Sequence, residues 1–255
     1  MNPLRIWWAD SRGKVIATLV ALWAGALITH FEVSRVWQPF VAVAAVSAFD
    51  YLVSRIRHQH GVVTMSAVVT GLLIGLVFDE SAGLVPLVAA CFVAVVGKQL
   101  VAFGDHRHIA NPAALGILTA SLVFGRPVAW WGAAWGMIPA VIILYGMAGA
   151  LMRLRRLWMG TAFIVLYFIM NVFTGGIQGA INLTIDGTVF LFAFIMLPEP
   201  ITSVGGGLWQ YGWGVLVAVL VYAQSRFLQV NVDPLLTALL GADVIGFFFV
   251  RKLWR

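Results

Sequence analysis

Residues 63–81 read VTMSAVVTGLLIGLVFDES, and residues 183–201 read LTIDGTVFLFAFIMLPEPI. Each stretch is a nearly unbroken apolar run that begins beside a hydroxyl group and ends in an acidic turn. The two align at a constant offset of 120, which matches Asp79 with Glu199. Apolar runs of this length predict short helices buried on every side. The offset predicts that the chain contains the same structural unit twice.

A second pair of segments supports the repeat. NPAALGIL (111–118) aligns with DPLLTALL (233–240) at an offset of 122. The first members of both pairs belong to predicted spans three and five, and the second members belong to spans eight and ten. Because five is odd, the two halves cross a membrane in opposite directions, as in inverted repeats whose site lies between them. We therefore predict one membrane domain, 1–255, with repeats at 14–125 and 127–251.

The composition indicates a bilayer as the solvent of this chain. Of its 255 residues, 62% are hydrophobic and only 10% are charged, whereas a soluble domain carries about 25% charged residues. The 33 aromatic residues and the low charge also exclude a disordered chain. At roughly 20 apolar residues per span, the chain has room for about ten helices. We predict an all-α integral membrane protein with spans at 14–30, 36–56, 62–78, 82–103, 109–124, 127–151, 157–176, 184–198, 207–225 and 235–251.

The basic residues predict the orientation of these helices. With the N-terminus in the cytoplasm, 13 of the 16 Lys and Arg residues fall on the cytoplasmic side and three on the outer side. This positive-inside pattern predicts both termini in the cytoplasm, and we place the chain in a prokaryotic inner membrane. It also accounts for the net charge of +6 without a nucleic-acid partner. The first residues, MNPLRIWWADSRGK, do not read as a signal peptide because they carry no small-residue cleavage site.

Several kinds of chemistry find no support in the sequence. The single cysteine, Cys91, cannot form a disulfide within the chain or build a cysteine-ligated cluster or zinc site. His106 and His108 lie two positions apart in a predicted loop without the spacing of a haem or metal site. The chain lacks GxSxG, Walker, dinucleotide-binding and HExxH patterns. We expect no metal and no soluble-enzyme chemistry.

Ionisable residues inside predicted spans are the first candidates for function, because a charge in hydrocarbon is expensive. Asp50 in span two and Lys98 in span four lie near the same end of their helices, where a mutual ion pair is the structural alternative to a functional role. Asp243 in span ten is deeper and has no charged neighbour within a turn. We take Asp50 and Asp243 as candidates for an ion pathway.

Two predicted helix ends supply a second class of candidate. Asn111 and Pro112 stand where a helix begins, with free N–H groups that attract acceptors or anions. In LPEPITSVGGG (197–207), two prolines flank Glu199, and two hydroxyl groups and three glycines follow. Such a sequence predicts a helix break with its backbone exposed at membrane depth, which is tolerated only beside protein or a cavity.

These segments, taken in order, resemble one known family. VVGKQLVAFG followed by HIANPAALGILTASLVFG is similar to spans four and five of the RnfD/NqrB family, the membrane subunits of Rnf-type and Nqr-type electron transport complexes. SAVVTGLLIGLVF resembles the third span of that family, and AFDYLVSRIRHQ resembles the second. FAFIMLPEPITS resembles the eighth, with Glu199 where an aspartate is usual. The resemblance implies ten helices in inverted halves and a role in ion-translocating electron transport.

One departure from the family bears on the cofactor. The resemblance implies a flavin mononucleotide bound covalently to a threonine in a long outer loop after the fifth span. Here span five ends at LVFG, and Arg126–Pro127 lead directly into the next segment. Thr184 and Thr188 lie on the outer side but do not fit the acceptor motif. We therefore expect a shortened member that holds FMN or riboflavin only non-covalently.

Three functional hypotheses remain open on the sequence. The first is a membrane electron-transfer subunit of a redox complex, with a flavin between the repeats and separate partners that include a flavinylated, iron–sulfur or haem protein on the outer side. The second is an inverted-repeat permease or channel without a redox cofactor. The third is an anchor that docks redox partners and binds nothing. For the first, the expected cofactor-binding residues are Lys98, Gln99, Asn111, Pro112, Glu199, Thr202 and Ser203.

Overall fold

The computed structural model describes residues 10–56, 64–99, 102–103, 107–204, 207–227 and 232–250. Within these ranges the chain forms ten helices, one for each span that the sequence predicts. A two-residue antiparallel ladder, β1 (Ala102–Phe103) with β2 (Arg107–His108), lies between the fourth and fifth. The helices are α1 (Ser11–Thr29), α2 (Val33–Ile56), α3 (Met65–Val77), α4 (Leu84–Gln99), α5 (Pro112–Phe124), α6 (Ile138–Arg153), α7 (Leu157–Thr184), α8 (Gly187–Leu191), α9 (Trp209–Phe227) and α10 (Pro234–Ile245).

Two helices end in π-helical turns, in which the chain is locally wider than an α-helix. α8 continues as Phe192–Met196, and α10 continues as Gly246–Val250. Single π-helical turns of this kind are frequent at functional sites. The predicted span 184–198 is thus one interrupted helix that runs from Gly187 to Met196.

Two predicted boundaries are wrong. The predicted sixth span, 127–151, becomes helical only at Ile138, because the preceding residues form turns instead. The predicted seventh span, 157–176, continues to Thr184 across a kink at Gly176, whose φ of 70° lies in the left-handed region. Glycine adopts that conformation without steric penalty, which explains why the helix bends at this position.

Helix length divides the described elements into two groups. α1, α2 and α7 are long and apolar enough to cross a membrane on their own. Six other apolar helices have 10 to 17 residues, and helices this short at membrane depth need protein around them. α3 meets that condition, because every residue from Thr70 to Val77 is buried. The apolar helices are thus compatible with a membrane protein.

The first of two compact units comprises Met1–His108 and Pro112–Gly132. Its centre is the contact between α2 and α3, where the two backbones approach closely. A Cβ on Gly71 would lie 2.5 Å from Val43 Cα, and one on Gly75 would lie 2.5 Å from Pro39 Cα. Only a residue without a side chain fits at that distance, so these glycines set the closeness of the pair.

A strap formed by residues 128–132 covers the C-terminal end of α3. The backbone N–H groups of Ala129 and Trp130 both donate to Val77 O at 3.0 Å, and that of Gly132 donates to Leu76 O at 2.8 Å. Carbonyls at a helix end lack partners within the helix and must find them elsewhere. The strap therefore satisfies backbone groups that α3 alone would leave unpaired.

The second compact unit comprises Ile109–Asn111 and Ala133–Arg255. Here α7 takes the place that α2 has in the first unit, and its Gly160 lies against the interrupted helix α8. A Cβ on Gly160 would lie 2.4 Å from Ala193 O. Gly160 stands 121 positions after Pro39. The close crossing therefore recurs at matching positions, with the glycine on the short helix in one unit and on the long helix in the other.

Candidate functional site

A buried carboxylate organises the polar cluster of the first unit. Asp50 on α2 is 1% exposed, and its Oδ1 lies 3.2 Å from Lys98 Nζ and accepts from Gln99 Nε2 at 2.7 Å. Thr64, which caps the start of α3, donates its hydroxyl to Asp50 Oδ2 at 3.2 Å. Three helices thus converge on one side chain. The ion pair allowed by the sequence is present, and the positive charge of Lys98 is already matched.

Asn111, the residue before α5, is held by partners within its own compact unit, the second. The backbone N–H of Asn111 donates to Asp243 Oδ2 at 2.8 Å, and Asn111 Nδ2 donates to Met196 O at 3.4 Å. Both Asn111 and Asp243 are buried. Pro112 follows at the first helical position, where its missing N–H costs nothing. The Asp243 carboxylate therefore accepts the backbone N–H of Asn111, and the Asn111 side-chain amide donates to the π-helical turn of α8.

The break after α8 is stabilised by Arg156, which stands just before α7. Arg156 Nη1 donates to Ser203 Oγ and to Glu199 O, and Arg156 Nη2 donates to Pro200 O. Thr202 Oγ1 donates to Glu199 Oε2 at 3.3 Å. Burial lowers the pKa of the Arg156 guanidinium, and the nearby carboxylate of Glu199 opposes that shift. The break predicted at 197–207 is thus an ordered polar turn built around one cation.

A corresponding arginine is present in the first unit. Arg35, near the start of α2, stands 121 positions before Arg156. Its Nη2 lies 2.7 Å from Glu80 Oε1, in the acidic turn that follows α3, and its guanidinium carbon lies 5.7 Å from the ring of Trp131 in the strap. Each unit therefore places an arginine from the helix start against the acidic end of its short helix.

Two further buried polar side chains lie on α9, one turn apart. Gln210 contacts Gly207 in the break after α8, and Trp213 contacts Gly246 at the π-helical end of α10. Val204 also lies close to Gly246. Within the part of the chain that the structure describes, Gln210 Oε1 and Trp213 Nε1 make no hydrogen bond. Buried polar atoms are nearly always paired, so both require an explanation.

The structure sorts the residues predicted from sequence into two groups. Asp50, Lys98 and Gln99 form the cluster of the first unit. Asn111, Asp243, Glu199, Thr202 and Ser203 belong to the second unit, and Pro112 begins α5. Arg156, Gln210 and Trp213 were not predicted. The offset of about 120 could have found Arg156, because it matches Arg35, but no sequence pattern marks the other two.

No group of three or more His, Cys, Asp or Glu side chains suited to a metal ion occurs in the residues that the structure covers. His108 is buried in β2, and His106 lies outside the described residues. The site is therefore one of carboxylates, amides, hydroxyls and one arginine.

Ten apolar helices within the described residues, with polar groups gathered at the ends of interrupted helices, define a class of polytopic membrane proteins. The profile of the NQR2, RnfD, RnfE family matches residues 11–252, which is nearly the whole chain. The chain belongs to this family. No curated protein matches it. Membership makes it a membrane subunit of the RnfD/NQR2/RnfE type, consistent with the multi-subunit complexes of that family.

Proposed function

We propose that the chain is an electron-transfer subunit of an Rnf/Nqr-like complex and that it holds a flavin non-covalently in the second unit. The observation that carries the proposal is the polar turn at residues 197–204, whose Thr202 and Ser203 are buried, with Arg156, Asn111 and Asp243 gathered around an interrupted helix. Family membership supplies the redox setting, and the site supplies suitable groups. The protein's task is to bind and tune the cofactor, because the redox chemistry belongs to the cofactor itself.

The residues of the second unit fit a flavin ring chemically. Thr202, Ser203 and the Asn111 amide offer donors and acceptors of the kind that the edge of an isoalloxazine ring needs. Arg156 places a fixed positive charge beside them, and such a charge favours the anionic reduced ring. When bound, the flavin supplies one- and two-electron chemistry. Lys98 is less suited to that role, because Asp50 already balances it at 3.2 Å.

The strap supports the proposal that no flavin is attached covalently at the family's usual place. Residues 125–137 read GRPVAWWGAAWGM and contain no threonine or serine. Residues 128–132 of this segment are bound to the end of α3. A covalent flavin in this position would therefore lack both an acceptor hydroxyl and a free loop. We infer that electrons reach or leave the chain through separate partner subunits, with a flavinylated, iron–sulfur or haem protein on the outer side.

The setting follows from the charge distribution. With 13 of 16 basic residues on the side of the N-terminus, both termini face the cytoplasm of a prokaryotic cell. In that orientation the turn at 197–204 and Asn111 lie toward the cytoplasmic half of the membrane. An ion pathway through Asp50 and Asp243 stays part of the proposal.

An absorption spectrum of the detergent-purified chain, isolated from its native membranes with its complex, tests this function. We expect an absorption band at about 450 nm from a flavin that dissociates when the protein is denatured. In a denaturing gel, the 27.7 kDa polypeptide should show no flavin fluorescence. Asn111→Leu should lose the band while the protein stays folded, whereas Asn171→Leu, a buried control on α7, should keep it. A colourless protein favours the permease alternative, and a fluorescent polypeptide contradicts non-covalent binding.

A further inference from the structure

Gln210 and Trp213 form a matched acceptor and donor in the second unit. They are three positions apart on α9, so their side chains leave the same face of the helix. Gln210 is 6% exposed and Trp213 is 3% exposed. Gln210 Nε2 donates to Gly207 O at 3.1 Å, which fixes the orientation of the amide and turns Oε1 away from that bond. The acceptor Oε1 and the donor Nε1–H are both unpartnered in the described residues.

The indole ring of Trp213 is held in place by its surroundings. A Cβ on Gly246 would lie 2.5 Å from Trp213 Cη2, so the ring rests directly on the backbone of α10 where its π-helical turn begins. Val204 Cγ2 lies 3.4 Å from the same Cβ position, so this side chain also borders the contact. Because Trp213 is 3% exposed and rests on that backbone, the direction of its N–H is set before any ligand arrives. A preorganised donor of this kind loses little entropy on binding.

The two groups lie beside the site already described. Gly246 is one turn after Asp243 on α10, and Val204 follows Ser203 in the polar turn. An unpaired buried donor and acceptor cost free energy unless something satisfies both. A water molecule could do so, but a wall made of an indole ring and a π-helical turn also fits a flat ligand. The group that donates and accepts from adjacent atoms of one flat ring is an imide or lactam edge.

We propose that Gln210 and Trp213 bind the imide edge of a planar heterocycle, with the ligand N–H donating to Gln210 Oε1 and a neighbouring ligand carbonyl accepting from Trp213 Nε1. This inference rests on the proposed function, because the flavin ring carries such an edge on its pyrimidine side. It goes further because it assigns the two side chains that hydrogen-bond to that edge. Ligands that lack the imide N–H then bind more weakly.

Binding of riboflavin and N3-methylriboflavin to the purified, flavin-stripped complex tests the assignment, because the methyl group replaces the hydrogen of the imide N–H and so removes the donor. The wild-type chain should bind the methylated flavin about tenfold or more weakly, the effect of one lost buried hydrogen bond. Gln210→Met should bind riboflavin as weakly as wild type binds the methylated flavin, and should lose the discrimination. Trp213→Phe should weaken both flavins alike.

Two residues on the same helix serve as controls. Gln224 is also buried but lies near the opposite end of α9, and Trp209 is half exposed; Gln224→Met and Trp209→Phe should leave both affinities unchanged. Equal affinity of the wild-type chain for the two flavins overturns the assignment without any variant. So does a Gln210→Met chain that binds like its control, because the two atoms then hold water only. If wild-type protein binds neither flavin, the proposed function fails together with this inference.

Discussion

Replacing Lys98 with methionine should destabilise the protein far more than neutralising its partner. The Asp50 carboxylate is 1% exposed, and Lys98 Nζ lies 3.2 Å and 3.4 Å from its two oxygens. Lys98→Met leaves a buried charge whose remaining donors among the described residues are Gln99 and Thr64, which costs about 3–5 kcal/mol. Asp50→Asn removes the charge and keeps an oxygen for Gln99. The released ammonium, in the last turn of α4, can then move toward water, so this change costs about 1–2 kcal/mol.

The double variant distinguishes the ion pair from simple loss of packing. Asp50→Asn with Lys98→Met contains no buried charge and should cost about 1–2 kcal/mol, which implies a coupling energy of about 3–5 kcal/mol between the sites. Equilibrium unfolding in mixed micelles, followed by tryptophan fluorescence, measures all three, with the exposed Arg12→Met as a control of under about 0.5 kcal/mol. Additive losses, or a Lys98→Met chain no weaker than Asp50→Asn, would refute the reasoning.

Three further predictions use other parts of the chain. Gly75→Ala should lower the free energy of unfolding by about 1–3 kcal/mol in the same assay, because its Cβ would meet Pro39 Cα at 2.5 Å. Gly212→Ala, with nothing within 4 Å, should not destabilise α9. Arg155→Gly should raise the free energy of unfolding by about 0.5–1 kcal/mol. The reason is that Arg155 holds a φ of 54° at the glycine position of a Schellman turn that ends α6. Arg155→Ala keeps the strained Cβ and should not raise it. Reporter fusions after Arg126 and Arg156 should lie on opposite sides of the membrane, and the same side for both contradicts the ten-span topology.

The number of helices could be predicted because apolar runs separated by glycine, proline and charge are a strong signal in hydrocarbon. The start of α6 could not be predicted, because residues 128–134 (VAWWGAA) are as apolar as a span. What makes these residues a strap is a partner elsewhere, the free carbonyls at the end of α3. The sequence does carry one signal for turns in this segment, because three turn-forming residues fall within eight positions: Gly125, Pro127 and Gly132.

Site residues could be predicted from the sequence where a polar side chain stands in a segment that should lie in hydrocarbon. They could not be predicted where the residue type is common in membrane helices. Asp50, Asn111 and Glu199 stand out in apolar surroundings. Gln210 and Trp213 do not, because tryptophan and glutamine are common near membrane interfaces and only packing shows that both are buried. In the sequence, Arg156 is one of three neighbouring arginines that indicate the cytoplasmic side of the membrane. Its contacts with Ser203 and with the carbonyls of Glu199 and Pro200 depend on a helix break more than 40 residues later.

The strap also orders events during synthesis. α3 has 13 residues and spans only about 20 Å, and the groups that complete its end are not made until some 50 residues later, at 128–132. Until then the nascent chain carries a helix too short for the bilayer, with carbonyls open to lipid. α3 must therefore wait beside the insertion machinery or at the water interface while α4 and α5 are made. The first compact unit reaches its mature state only when its last residues, the strap, have been made.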